Sequence, residues 1–311
     1  MNQKSTPPSE SLIERAAEVY DFQAALRAAG LAKPIGETAV EAVAVQAAAP
    51  VTLAAAPTLR AMPAAPSGPI VPIDLDMLRE AGVIVPGAAP SALSEEFRLV
   101  KRQLLLSAFG GRKTDAIDKG QLILICSAQP NEGKTFCSVN LALSMSTETD
   151  IEVLLVDADV AKPEVLSTLG LPGSRGLMDA LADPLLNVED LIIRTSVPRL
   201  SVLPAGTQTN NDNELLASDR TAVIINSLIA NNPRRVVLFD SAPALAASPA
   251  SVIALNVGQV LLVVRADQTT ESELRDALTL LDACPHVQLL LNAVTFTGTN
   301  RKFGSYYGFG E

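Results

Sequence analysis

Tryptophan is absent from the 311-residue sequence, histidine occurs once, and aromatic residues make up only 4%. Hydrophobic residues reach 48%, so a large core must be built mainly from Ala, Val, Leu and Ile, as in α/β proteins. The single histidine, His286, follows Cys284-Pro285 in a turn-like stretch, and nothing suggests a Ser–His–Asp device. The three cysteines (Cys126, Cys137, Cys284) have no metal-ligand spacing and cannot form an even disulfide framework. They read as small core residues in a reducing compartment. Basic excess is lacking too. The net charge of −10 argues against a nucleic-acid-binding face. The longest apolar runs, "QLILIC" and "VGQVLLVV", are too short for a membrane span, and the opening "MNQKSTPPSE" has no basic start followed by an apolar run. The expectation is a soluble chain without a secretory signal.

What is present divides into four parts. Residues 1–30 contain one amphipathic pattern, "SLIERAAEVYDFQAALRAAG", which predicts a short helix ended by glycine. Residues 31–93 are rich in Ala and Pro without usable periodicity and read as a linker. From residue 94 the pattern becomes regular. "SEEFRLVKRQLLLSAF" predicts an amphipathic helix with Ser94 as N-cap and acidic residues in its first turn. The runs "QLILICSA", "EVLLVDAD", "RLSVLPAG", "RVVLFDSA", "QVLLVVRAD" and "VQLLLNAV" then alternate with helical segments to residue 300. Continuous apolar strands between helices predict an α/β fold, a mostly parallel sheet with helices on both faces. Residues 301–311, "RKFGSYYGFGE", form a glycine-rich tail holding two of the three tyrosines, Tyr306 and Tyr307.

In such sheets ligands bind beyond the carboxyl ends of the strands, and three strand ends carry related chemistry. "LILICSAQPNEGKTFCSVNLALS" runs from a strand through a loop into a helix, the context of a P-loop. Asn131, Glu132, Gly133, Lys134, Thr135 and Phe136 bring backbone N–H groups and a helix N-terminus to phosphate. Lys134 reaches the β/γ-phosphates, and the Thr135 hydroxyl ligates Mg²⁺. Ala128 stands where the first glycine is usual. "EVLLVDADVAKP" ends a strand in two carboxylates, Asp157 and Asp159, suited to holding Mg²⁺ and taking a proton. "RRVVLFDSAPAL" ends in Asp240, in the Walker-B manner. Asn292, closing "VQLLLN", either reads a nucleotide base or starts a turn.

Together, "SAQPNEGKT", "VLLVDADVAKP", "FDSAP" and "GSYYG" resemble the bacterial tyrosine kinases of exopolysaccharide synthesis, in particular the autokinases associated with exosortase systems. The resemblance runs through residues 94–311 and includes "SLIERAAE" near the start. It implies a P-loop kinase domain that uses ATP and Mg²⁺ to phosphorylate its own C-terminal tyrosines, here Tyr306 and Tyr307. Lys134, Asp157 and Asp159 would be catalytic, with Asp157 as the base; Asp159 and Asp240 would help hold the metal. An E-x-x-R-x-x-R helix that assembles a ring of unphosphorylated subunits matches Glu95, Arg98 and Lys101. The resemblance also implies a transmembrane chain-length determinant as activating partner, and a site of action at the inner face of the cytoplasmic membrane. Departures are Asn131 for glycine and Ala242 for proline. Two other readings share the fold: a partitioning or septum-site ATPase switch, which usually has a lysine where Gln129 stands, and a non-catalytic nucleotide-binding adaptor.

Overall fold

The computed structural model describes residues 68–111, 114–230 and 232–294. The expected N-terminal helix and the tail with Tyr306 and Tyr307 lie outside them. Among the described residues one sheet of eight strands dominates: β1 (Ile70–Val71), β2 (Leu122–Ser127), β3 (Glu152–Ala158), β4 (Ile193–Thr195), β5 (Leu200–Leu203), β6 (Arg235–Ser241), β7 (Gln259–Arg265) and β8 (Val287–Asn292). Their spatial order is β1-β4-β5-β3-β6-β2-β7-β8. All neighbouring pairs are parallel except β4 with β5. The expected mostly parallel α/β sheet is the observed fold.

The central strands β2 and β6 are buried along their whole length, which is why they read as unbroken apolar runs. Alternate side chains point to opposite faces. Leu122, Leu124 and Cys126 join Leu154, Val156, Val237 and Phe239 on one face. Ile123 and Ile125 join Val153, Leu155, Val236 and Leu238 on the other. Helices Leu177–Ala182, Asp219–Ala230, Pro249–Ala254 and Glu271–Leu280 cover the first face. Helices Ala92–Phe109 and Lys134–Met145 cover the second. Because β2, β3 and β6 are adjacent, the ends of all three lie side by side, and Asp157 pairs in register with Asp240.

The N-terminal side differs from expectation. Regular structure begins well before residue 94: Ile70–Val71 pair with β4, and helix Leu75–Glu80 is capped by Asp74, whose side chain accepts from the Asp76 and Met77 amides. Ile73, Leu78 and Val83 are buried. These few apolar anchors sit in an Ala/Pro-rich background, so no period betrays them. The following helix also starts earlier than expected. Its N-cap is Ser91, and Ser94 is the partner in a reciprocal capping box.

Lys101, expected beside Glu95 and Arg98 at a subunit interface, is bonded within this chain. Its ammonium is buried, pairing with Glu148 Oε1 at 2.7 Å and donating to the Ser144 carbonyl and Thr147 Oγ1, each at 2.9 Å. It ties its helix to the end of Lys134–Met145 and does not reach outward. Glu95 and Arg98 are paired with each other at 2.7 Å on the surface. Lys101→Met is therefore expected to cost about 1–3 kcal/mol of stability through lost buried hydrogen bonds, read from urea denaturation. An unchanged midpoint would show that the internal contacts are dispensable.

Candidate active site

The loop between β2 and helix Lys134–Met145 turns through two left-handed residues, Asn131 at φ 65° and Gly133 at φ 92°. Asparagine tolerates this region better than most residues, so the departure from glycine at 131 leaves the turn intact. At Gly133 a Cβ would run into Asn292 Nδ2, so only glycine fits beside that side chain. The helix then begins at Lys134, directing its first N–H groups towards the loop.

Lys134 is buried, its ammonium 2.7 Å from Asp159 Oδ2. Burial pulls its pKa down, but Asp240, Asp159 and Glu164 outweigh this and hold it above the ordinary lysine value. Asp159 Oδ1 accepts the Lys162 amide at 3.1 Å. Asp240 is fully buried; Oδ1 meets Ser138 Oγ at 2.9 Å, and Oδ2 has no hydrogen-bond partner. Burial raises its pKa to about 6 against the opposing pull of Lys134. Asp157 stands apart from the other two. Its oxygens accept the backbone amides of Asp159 (3.3 Å) and Val165 (3.1 Å). Burial and the nearby Asp240 push its pKa up to about 7.

These donors suit Mg²⁺. That ion is held through one or two carboxylates together with substrate phosphates and water, not by a closed protein cage. Among the described residues no three acidic, His or Cys groups form a cage. Asp240 Oδ2 is an unpaired buried carboxylate oxygen, and Thr135 and Asp159 line the cavity beside Lys134. Asp157, expected as a further ligand, has both oxygens turned to backbone N–H groups and is not among that cavity's lining residues.

Asn292 is held against the loop. Its amide nitrogen donates to the Glu132 carbonyl at 2.9 Å, so it braces the loop. Glu132 is likewise internal: its carboxylate accepts the Gln129 amide at 2.8 Å and the Thr269 hydroxyl. Arg265 Nη1 donates to the Asn131 carbonyl at 2.8 Å, and Gln129 Nε2 to Glu273 at 3.1 Å. Sequence reasoning missed Arg265, Thr269 and Glu273 because only the strand order places β7 beside β2. Ser138 carried a signal, since it lies one helical turn after Lys134.

A parallel sheet, a left-handed glycine loop and a buried lysine–aspartate pair are the frame within which the chain's likeness to known proteins acquires meaning. It is 31% identical over 192 residues to a putative tyrosine-protein kinase, EpsB, of Ralstonia nicotianae, covering 60% of this chain and 25% of that one. It is 29% identical over 223 residues to a putative tyrosine-protein kinase, CapB, of Staphylococcus aureus, covering 71% and 92%. This chain is a relative of the bacterial tyrosine-protein kinases. Among solved structures, the BceF tyrosine kinase domain superposes with a TM-score of 0.56 at 26% identity, covering 71% of this chain and 90% of that one. The chain spans about a quarter of the length of the Ralstonia relative but nearly all of the staphylococcal one. No family model matches it. The P-loop fold that it shares with these relatives implies nucleotide binding.

Proposed function

We propose that the chain is an ATP-dependent protein-tyrosine autokinase that phosphorylates Tyr306 and Tyr307 and so regulates exopolysaccharide synthesis or export. The observation that carries this reading is the buried Lys134–Asp159 pair at the mouth of the left-handed loop, in a chain that ends in a glycine-flanked tyrosine pair. The named tyrosine-kinase relatives support it.

In the reaction the phenolic oxygen of a tyrosine forms a bond to the γ-phosphorus of ATP. The bond from that phosphorus to the β–γ bridging oxygen breaks, and ADP leaves. The phenolic proton passes to the Asp157 carboxylate, whose pKa near 7 leaves it ionised, and so able to accept, above neutrality. Backbone N–H groups of residues 131–136 cradle the phosphates, and Lys134 turns from Asp159 to the transferring group. Mg²⁺, when bound through Thr135, Asp159 and Asp240, supplies charge neutralisation at the phosphates.

Among the described residues no helix is long and apolar enough to cross a membrane. The kinase reading has this chain act at the inner face of the cytoplasmic membrane beside a transmembrane chain-length determinant. Unphosphorylated copies would assemble in a ring through the surface of helix Ala92–Phe109, with Glu95 and Arg98 outward. Each phosphate adds roughly −1.5 to −2 charge to the tail of an already acidic chain, favouring release. Light scattering on both forms at equal salt should find the larger mass without phosphate; equal masses would remove the switch.

Incubating purified protein with MgATP and mapping modified residues by mass spectrometry tests the reading. Phosphate on Tyr306 or Tyr307 is expected. Hydrolysis of ATP with no phosphotyrosine would identify an ATPase switch instead, and nucleotide binding without turnover an adaptor.

A further inference from the structure

The cavity beside Lys134 encloses about 650 Å³, within the range of small-molecule sites. Part of its lining suits a phosphate and its cation: Gly133, Lys134 and Thr135, with Asp159 for Mg²⁺. Much of the remainder is apolar and small. Ala81 and Val83 come from the N-terminal segment, and Ala242, Pro243, Ala246 and Ala247 from the stretch after β6.

Both apolar segments are fixed to the phosphate-binding element. The Ile84 amide donates to Asn140 Oδ1 at 2.9 Å, and Asn140 Nδ2 donates to the Phe136 carbonyl at 2.8 Å. That chain of bonds ties residues 81–84 to the first turns of the helix after the loop. The same segment reaches the acidic side, because the Asp74 amide lies 3.4 Å from the Leu169 carbonyl, in the helix Val165–Leu169 whose first amide holds Asp157. On the other side, the Ala244 amide donates to the Ser127 carbonyl at 2.8 Å and that of Leu245 to Ala128 at 3.2 Å. Residues 242–247 are thus laid along the start of the loop.

We propose that Ala81, Val83, Ala242, Pro243, Ala246 and Ala247 form the seat for the ring of the acceptor tyrosine, with Ala81 and Ala246 setting how much room the ring has. This rests on the kinase reading. A serine or threonine hydroxyl stands too close to its own backbone to fill an apolar recess and still arrive at Lys134 and Asp159. A phenol carries its hydroxyl at the far end of a flat apolar body, and burial of that body supplies the selectivity. The occupant is the glycine-flanked "SYYG" segment of this chain or of a second copy. The described chain reaches Val294 two residues after Asn292, which is bonded to the loop itself. Eleven residues separate Val294 from Tyr306, a reach of roughly 40 Å when extended. The cavity rim carries the Lys162–Glu164 pair at 2.9 Å, so it presents little net charge to such a peptide.

The test uses the full chain carrying Tyr306→Phe and Tyr307→Phe, so that an added peptide, RKFGSYYGFGE, is the acceptor. Into that background go Ala81→Leu and Ala246→Leu, both at exposed positions that leave the core untouched. Each is expected to raise the peptide KM about tenfold or more while the affinity for a fluorescent ADP analogue stays within about twofold. A peptide with both tyrosines replaced by serine should be a poor acceptor for every form. Unchanged peptide kinetics in both variants would overturn the assignment. Nucleotide affinity falling in step with peptide use would assign these walls to the nucleotide instead. Failure of the kinase reading is visible separately, as no phosphotyrosine from the unsubstituted chain, and takes this inference with it.

Discussion

Lys134→Met is expected to lower tyrosine phosphorylation by about three orders of magnitude or more, since a positioned cation on the transferring phosphoryl group contributes on that scale. The fold should survive. The side chain is buried, but its role is electrostatic, and methionine fills a similar volume without demanding hydrogen bonds. The substitution leaves Asp159 and Asp240 without their shared cation in a buried setting. Asp240 can respond by binding a proton, a route already open to it with its pKa near 6. The variant should therefore look nearly native by circular dichroism at about pH 5 and lose stability towards about pH 8 more steeply than the parent. A folded variant with near-parental phosphorylation would remove Lys134 from the chemistry and the loop from its role.

The fold was legible where burial is complete. The unbroken apolar runs at β2, β3 and β6 announce central parallel strands; β2 leads into the loop before Lys134, and β3 and β6 end at the carboxylates found beside it. β1 and the helix Leu75–Glu80 escaped because six or fewer residues of regular structure, in a stretch full of Ala and Pro, give no periodic signal. The site divides along a similar line. Lys134, Thr135, Asp159 and Asp240 were readable from a local pattern of strand, loop and helix. The braces from Arg265, Thr269 and Asn292 were not, because they depend on which strands are neighbours. Lys101 shows a third case. A charged residue at a surface-like spacing is turned inward by the Ser144 carbonyl and Glu148, partners that lie more than forty positions along the chain.

Asp157→Asn should reduce turnover by about a hundredfold to ten-thousandfold, the range for a lost general base. Nucleotide affinity should fall far less, because a base acts chiefly in the transition state. The pH dependence follows from the same environment. Burial and Asp240 hold the Asp157 pKa near 7, so the base is fully ionised only above neutrality. Turnover by the parent should rise with pH through about 7 and then level, whereas the variant should lack that limb. Stability should show the opposite slope. The folded-state pKa lies above the unfolded value of 3.8, so between these values the folded protein binds more protons than the unfolded chain. Stability from this group is fully present below the lower value and is lost as pH rises through the upper one. Without nucleotide, the parent should therefore unfold at progressively lower urea between about pH 4 and pH 7, and the asparagine variant should show a shallower decline, with Asp240 still contributing. Matching pH profiles for parent and variant would show that Asp157 is not the titrating base. Equal losses of nucleotide affinity and turnover would make it a structural support for the Asp159 loop, the role that its two backbone hydrogen bonds already fill.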